Sequence, residues 1–221
     1  MISLDSRLGM LAELTEPCEI VADIGTDHGL LGVYLLQKDI CRHVQFLDIS
    51  VSSLEKARRL VAACHLEQRA YFNTGDGASA LLMPADQAVV AGMGAETIVG
   101  IIERGRAAFG NARLILQPNL DVEGLRAALG PMGYEIVDER IALAAGRHYV
   151  AIKVQPGKAA YSPRECLVGP VLIRGHDDLL SSYARFRLRV LTKAMKGARK
   201  SEPDKAARYA WEISVWKEFA G

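Results

Sequence analysis

Leu4, Leu8, Leu11 and Leu14 recur at three- and four-residue steps, which predicts an amphipathic helix over residues 4–15, closed by Pro17. The period then shortens. Residues 19–24 form a brief apolar run ending in a Gly-bearing turn, as a buried strand does, and a helix is expected from about residue 28 to residue 38. The same unit repeats. Strands are expected at 43–48, 70–74, 87–91 and 112–116. Helices are expected from a Ser50 or Ser52 cap to Cys64, over 96–107, and from an Asp121 cap to Leu129. Such alternation argues for an open, parallel sheet with helices on both faces. The pattern then changes. Residues 134–141 and 148–154 are strand-like runs joined by Ala144-Ala145-Gly146-Arg147, with no room for a helix, so they should pair antiparallel. Residues 156–170 are rich in Pro and Gly and read as a linker. Leu179, Leu180, Tyr183, Phe186, Val190, Leu191 and Ala194 then fall at helical steps, and Pro203 opens a further helix with Tyr209, Ala210, Ile213 and Trp216 on one face. The division expected is 1–155 for the α/β domain with its N-terminal helix, 156–170 for the linker, and 171–221 for an antiparallel helical pair.

Composition narrows the class. Half of the 221 residues are hydrophobic, 24% are charged and 6% aromatic, which excludes a disordered or fibrous chain. No uncharged apolar stretch approaches the roughly 18 residues of a membrane helix. Asp, Arg and Glu interrupt the leucines of the first sixteen residues, unlike a signal peptide, so the cytoplasm is the expected compartment. Cys18, Cys41, Cys64 and Cys166 are far apart with no C-x-x-C pair, and His43, His65 and His148 show no ligand spacing, so no metal site is expected. The net charge of +1 hides an asymmetry: residues 171–221 hold 11 Lys and Arg against 6 Asp and Glu. A basic end on a mildly acidic body suits an anionic macromolecule, although exposed helices also carry Lys and Arg simply for solvation.

In an open α/β sheet, ligands bind beyond the C-terminal strand ends. Those positions carry the chemistry here. Asp23-Ile-Gly25-Thr-Asp27-His28-Gly29 follows the first strand, Asp48 ends the second, and Asp76 sits between Gly75 and Gly77 after the third. Gly92 and Gly94 follow the fourth. Gly25 allows a tight turn and close approach to a ligand. Asp48, about 19 residues past Gly29, suits ribose hydroxyls, and Asp76 is placed for an adenine amine. A dinucleotide fingerprint fails, because Asp27 and Leu30 stand where its later glycines should be. A carboxylate at position 27 would oppose a pyrophosphate. It suits S-adenosylmethionine, which has no phosphate and carries cationic sulfonium and amino groups. Any one of these acids could instead cap a turn. Five parallel strands followed by an antiparallel hairpin is also the arrangement of class I methyltransferases. His28 reads as a helix cap or turn support more than as a base. Gln117-Pro118-Asn119 follows the fifth strand; its amides could hold a base edge on a stiff loop, or form a plain turn.

Val21-Ala-Asp-Ile-Gly-Thr-Asp-His28, Gly75-Asp-Gly77, Val90-Ala-Gly-Met-Gly94 and Leu114-Ile-Leu-Gln-Pro-Asn119 together resemble the bacterial TrmK family of tRNA adenine-N1 methyltransferases, which act on adenine 22. Ser6-Arg7-Leu8, Gly133-Tyr134, Tyr149 and Leu167-Val-Gly-Pro170 also fit, so the resemblance spans nearly the whole chain. The chain departs from the family pattern at Gly32, Ala95 and Gly146-Arg147-His148, and in its short final helical region; these bear on substrate choice more than on the cofactor.

The resemblance implies a class I methyltransferase sheet with a C-terminal helical pair. It implies S-adenosylmethionine contacts at Asp23, Gly25, Asp48, Ile49, Asp76, Gly77, Gly92 and Met93. It implies a catalytic role for Asp27 and tRNA as partner. Gln117, Pro118, Asn119, Arg7 and, as a weak candidate for holding the base, Tyr149 are expected near the substrate. Arg185, Arg189 and Lys193 are expected on the RNA backbone, with Arg174, Arg187, Lys196, Arg199 and Lys200 beside them. Two rival readings stand: a small-molecule methyltransferase whose helical pair is a lid or dimer element, and a non-catalytic module that binds adenosylmethionine or RNA.

Overall fold

A computed structural model describes residues 2–175, 177–198 and 202–221. The chain divides into two compact units, Met1–Ala160 and Tyr161–Gly221.

The first unit is one seven-stranded sheet ordered β3-β2-β1-β4-β5-β7-β6. Its strands are β1 (Cys18–Ile24), β2 (Cys41–Asp48), β3 (Ala70–Thr74), β4 (Gln87–Gly94), β5 (Arg113–Leu120), β6 (Tyr134–Ala144) and β7 (Arg147–Pro156). β1 to β5 pair in parallel, while β7 runs antiparallel to both β5 and β6. The helices are α1 (Ser6–Leu14), α2 (Leu30–Gln37), α3 (Val51–Ala63), α4 (Ala95–Phe109) and α5 (Val122–Leu129). Asp5 caps α1 through the Leu8 amide, and Ser50 caps α3 through the Ser53 amide. The inner strands are apolar on both faces because helices cover both. Val21, Val44, Phe46, Val89, Ile115 and Leu116 are accordingly buried. The strand order reverses between β1 and β4, which opens a crevice above their C-terminal ends.

Two features go beyond the sequence pattern. β4 and β5 run on past residues 91 and 116, because their ends pair with each other: Ala91 faces Gln117, Met93 faces Pro118 and Gly94 faces Leu120, with register shifts at Met93. Gln117-Pro118-Asn119 is therefore strand rather than turn. The β6–β7 hairpin is longer than the apolar runs suggest, and Ala145 and Gly146, both at positive φ, close it as a two-residue turn. Arg126 of α5 and Glu139 of β6, both wholly buried, form an ion pair at 2.7 Å that fixes that helix to the hairpin.

The second unit contains α6 (Pro163–Val168), α7 (Pro170–Arg174), α8 (Leu180–Ala198) and α9 (Pro203–Lys217). The expected linker 156–170 thus holds a helix. Ser162 and Glu165 form a reciprocal capping box with Pro163 at the first helical position, so the Pro here starts a helix. α8 and α9 pack through Tyr183 and the buried Trp216, whose rings meet edge to face at 5.3 Å. Among the described residues no helix is long and apolar enough to cross a membrane.

Candidate functional site

The turn after β1 builds the floor of the site. Gly25 has φ +78°, and a Cβ there would overlap the Met93 methyl group, so only glycine leaves that approach open. Gly29, at φ +72°, opens α2 where Ala57 and Phe46 leave no space for a side chain. Because Gly29 has no side chain, α2 lacks a cap of its own. Asp23 serves instead: its buried carboxyl accepts from the Gly32 amide and, at 2.9 Å, from Thr26 Oγ1. Burial pushes the Asp23 pKa up from 3.8 to about 6, against the lowering effect of those two donors, and the Asp48 charge raises it further.

Two adjoining cavities share Ile24, Gly25, Ala91 and Gly92 as a common wall. One, of about 290 Å³, is lined by Asp23, Asp27 and His28 beneath Arg7, Leu8 and Leu11 of α1. The other, of about 350 Å³, is lined by Asp48, Ile49, Asp76, Gly77, Met93 and Ile101. The Asp48 Oδ1 accepts the Ser50 amide at 2.7 Å, and the Asp76 Oδ2 accepts Arg104 Nη2 from α4 at 2.9 Å. All eight residues expected to hold the cofactor therefore line this double cavity. Asp27 is at its mouth, with its side chain 73% exposed; His28 Nε2 is 3.3 Å and Lys56 Nζ 3.5 Å from its carboxylate oxygens.

A polar chain borders the first cavity. Arg7 Nη1 donates to Gln117 Oε1 at 3.2 Å, Gln117 Nε2 donates to Asn119 Oδ1 at 3.2 Å, and Asn119 Nδ2 donates to the Gly92 carbonyl at 2.7 Å. Arg7 also lies over the Tyr149 ring at 5.7 Å, with Arg147 on the same ring at 5.9 Å. Arg7, Gln117, Asn119 and Tyr149, distant in sequence, thus form one group, and Pro118 is buried in the strand beneath it. Lys56, Thr26 and Arg104 carry no site signal of their own in the sequence, and Arg147 stands out there only as a departure from the family pattern. Lys56, Arg104 and Arg147 are exposed and Thr26 is buried in its turn, and the partner of each is known only once the chain is folded.

In the second unit, Arg189, Lys193 and Lys196 line a shallow groove on α8 with Leu188 and Thr192. Arg185 instead donates to the Ala220 and Gly221 carbonyls at 3.0 and 3.3 Å. Arg187 packs over the Trp216 ring at 5.6 Å and meets the Tyr183 hydroxyl, so it serves the helix–helix contact. Arg174 is exposed on α7. Arg199 and Lys200 lie outside the described residues. Among the described residues, no group of three or more His, Cys, Asp or Glu could hold a metal ion.

Residues 4–152 match the profile of a family described as "Methyltransferase domain". The chain is 31% identical over 181 residues to the tRNA (adenine(22)-N(1))-methyltransferase of Bacillus subtilis (strain 168), covering 78% of this chain and 76% of that protein. A candidate tRNA (m1A22) methyltransferase of Streptococcus pneumoniae has the same fold, at 25% identity and TM-score 0.91 with both chains fully covered. Its complex with S-adenosyl-L-methionine superposes with a TM-score of 0.89 over the same full coverage.

Proposed function

The chain belongs to the methyltransferase-domain family and, within it, to the tRNA (adenine(22)-N(1))-methyltransferases, and on that footing we propose that it transfers a methyl group from S-adenosylmethionine to N1 of adenine 22 in tRNA. One structural observation carries the reading: four carboxylates, Asp23, Asp27, Asp48 and Asp76, stand around a divided cavity, where the turn at Gly25 carries no phosphate-binding glycine series. Such a site fits an elongated, cationic ligand without phosphate. When bound, S-adenosylmethionine supplies an activated methyl group from its sulfonium.

The residues divide the work. Asp23 faces the cationic end of the ligand, Asp48 and Asp76 its ribose and adenine, and Ile49, Gly77 and Met93 give apolar contact beside them. Gly25 and Gly92 form the wall between the two halves. Adenine N1 already carries an in-plane lone pair, so no base is needed to activate it. The methylated ring is a cation, and the Asp27 carboxylate at the cavity mouth stabilises that charge as it develops. Asp27 can also accept from the adenine's exocyclic amine. The Arg7–Gln117–Asn119 chain and Tyr149 orient the base, so that most of the catalysis is positioning. Arg189, Lys193 and Lys196 meet RNA phosphates. Acting on tRNA, the protein would work in the cytoplasm.

The test uses labelled S-adenosylmethionine and two unmodified transcripts of one tRNA, one with adenine and one with guanine at position 22. Label entering only the adenine transcript supports the reading. Label in both moves the target elsewhere in the RNA. Label in neither, with the ligand still bound, favours a small-molecule acceptor or a non-catalytic module.

A further inference from the structure

An adenine inside folded RNA must leave its stack before N1 can meet a methyl group, and the space it vacates has to be filled or its neighbours collapse together. We propose that Leu120 is the side chain that enters that space and holds the target base out, a role that rests on the tRNA reading above.

Single exposed leucines are ordinary on protein surfaces, so exposure alone carries nothing. The case for Leu120 is its placement. It is 71% exposed, yet it is the last residue of β5, paired opposite Gly94, two residues beyond Gly92 of the wall the two cavities share. Asn119, its chain neighbour, holds the Gly92 carbonyl in the wall between the two cavities. Asp121, on its other side, adopts a left-handed conformation (φ 57°, ψ 53°) that non-glycine residues rarely take. The Asp121 carboxylate also accepts the Gly124 amide at 3.1 Å and caps α5. Leu120 is therefore an apolar side chain presented on a backbone fixed from both sides, and backbone strain of this kind gathers at functional sites. Proteins that unstack bases insert Leu, Phe, Ile or Met in this way. Tyr149, whose ring is met by both the Arg7 and the Arg147 guanidinium, has the base-orienting role proposed above, which leaves the vacated space to another residue.

The experiment compares wild type, Leu120→Ala and Leu120→Met, all full length, on two tRNAs. One carries adenine at position 22 and reports turnover. The other carries 2-aminopurine there, whose fluorescence rises when the base leaves the stack. The expected result is that Leu120→Ala binds tRNA within about twofold of wild type, loses about tenfold or more in kcat, and gives little fluorescence rise. Leu120→Met, which still fills the space, restores both. Equal turnover and fluorescence in Leu120→Ala and wild type would overturn the proposal. So would a loss of affinity alone, which makes Leu120 a plain contact, or a loss of kcat with full fluorescence, which puts its effect after flipping. If wild type itself methylates no tRNA, the functional reading fails and this role fails with it; if wild type methylates and only the Leu120 effect is missing, this role alone is wrong.

Discussion

Lowering the pH from about 8 to about 5 protonates the Asp23 carboxyl, whose burial has already pushed its pKa from 3.8 to about 6. That gap corresponds to about 3 kcal/mol against the ionised form. The sign follows from linkage. With a raised pKa, the folded chain holds the proton more tightly than the unfolded chain does. Asp23 therefore costs no stability at low pH and progressively more as the pH rises from about 4 to about 6, with the full cost above that. A cationic ligand group beside Asp23 offsets this cost, because it favours the ionised carboxyl. At pH 5 only about a tenth of the free protein carries that carboxylate, so affinity for S-adenosylmethionine should be about tenfold weaker than at pH 8. Calorimetric titrations in buffers of different ionisation enthalpy should show about half a proton released on binding near pH 6. Asp23→Asn should bind more weakly at pH 8 and lose the pH dependence, which separates Asp23 from His28 and the other groups around the cavity. A flat wild-type profile between pH 5 and 8, or an unchanged slope in Asp23→Asn, would refute the reasoning.

Other consequences follow from the same geometry. Gly25→Ala should displace the Met93 methyl into the shared wall and weaken ligand binding by about tenfold or more, at a folding cost of about 1–2 kcal/mol for the forced positive φ, read by calorimetry and urea unfolding. Glu139→Ala should leave the Arg126 charge buried and cost about 3–5 kcal/mol in urea unfolding, while the binding constant for S-adenosylmethionine stays the same. Replacing Arg189, Lys193 and Lys196 together by Ala should weaken tRNA binding and reduce the slope of log K against log salt by about 2–3, measured by filter binding between low and physiological salt.

The alternation of apolar runs showed the parallel sheet and its reversed β7, because buried strands and amphipathic helices write their periods directly into the chain. The residues of the double cavity were legible for a related reason: Asp23, Asp48, Asp76 and Gly92 each stand at or just past the C-terminal end of a strand, where topology alone directs them to one crevice. What the pattern did not show depends on pairing. Gln117-Pro118-Asn119 carries turn residues, and only the mutual pairing of the β4 and β5 ends makes it strand. Pro163 falls within the expected linker, although Ser162 and Glu165 on either side make it a helix start. The basic composition of α8 was plain, but composition could not separate Arg187, packed on Trp216, and Arg185, bonded to the last carbonyls, from Arg189 and Lys193 in the groove.

The most direct test of the account is nucleoside analysis of an unmodified tRNA after incubation with S-adenosylmethionine, using wild type beside Asp27→Ala. Asp27 is largely exposed and contributes no core contact, so the variant should fold as wild type does, and its cofactor affinity is measured alongside. The account predicts 1-methyladenosine at position 22 with wild type and its loss, by about a hundredfold or more, with Asp27→Ala. Methylation at full rate in the variant, or a methylated nucleoside other than 1-methyladenosine from wild type, would contradict it.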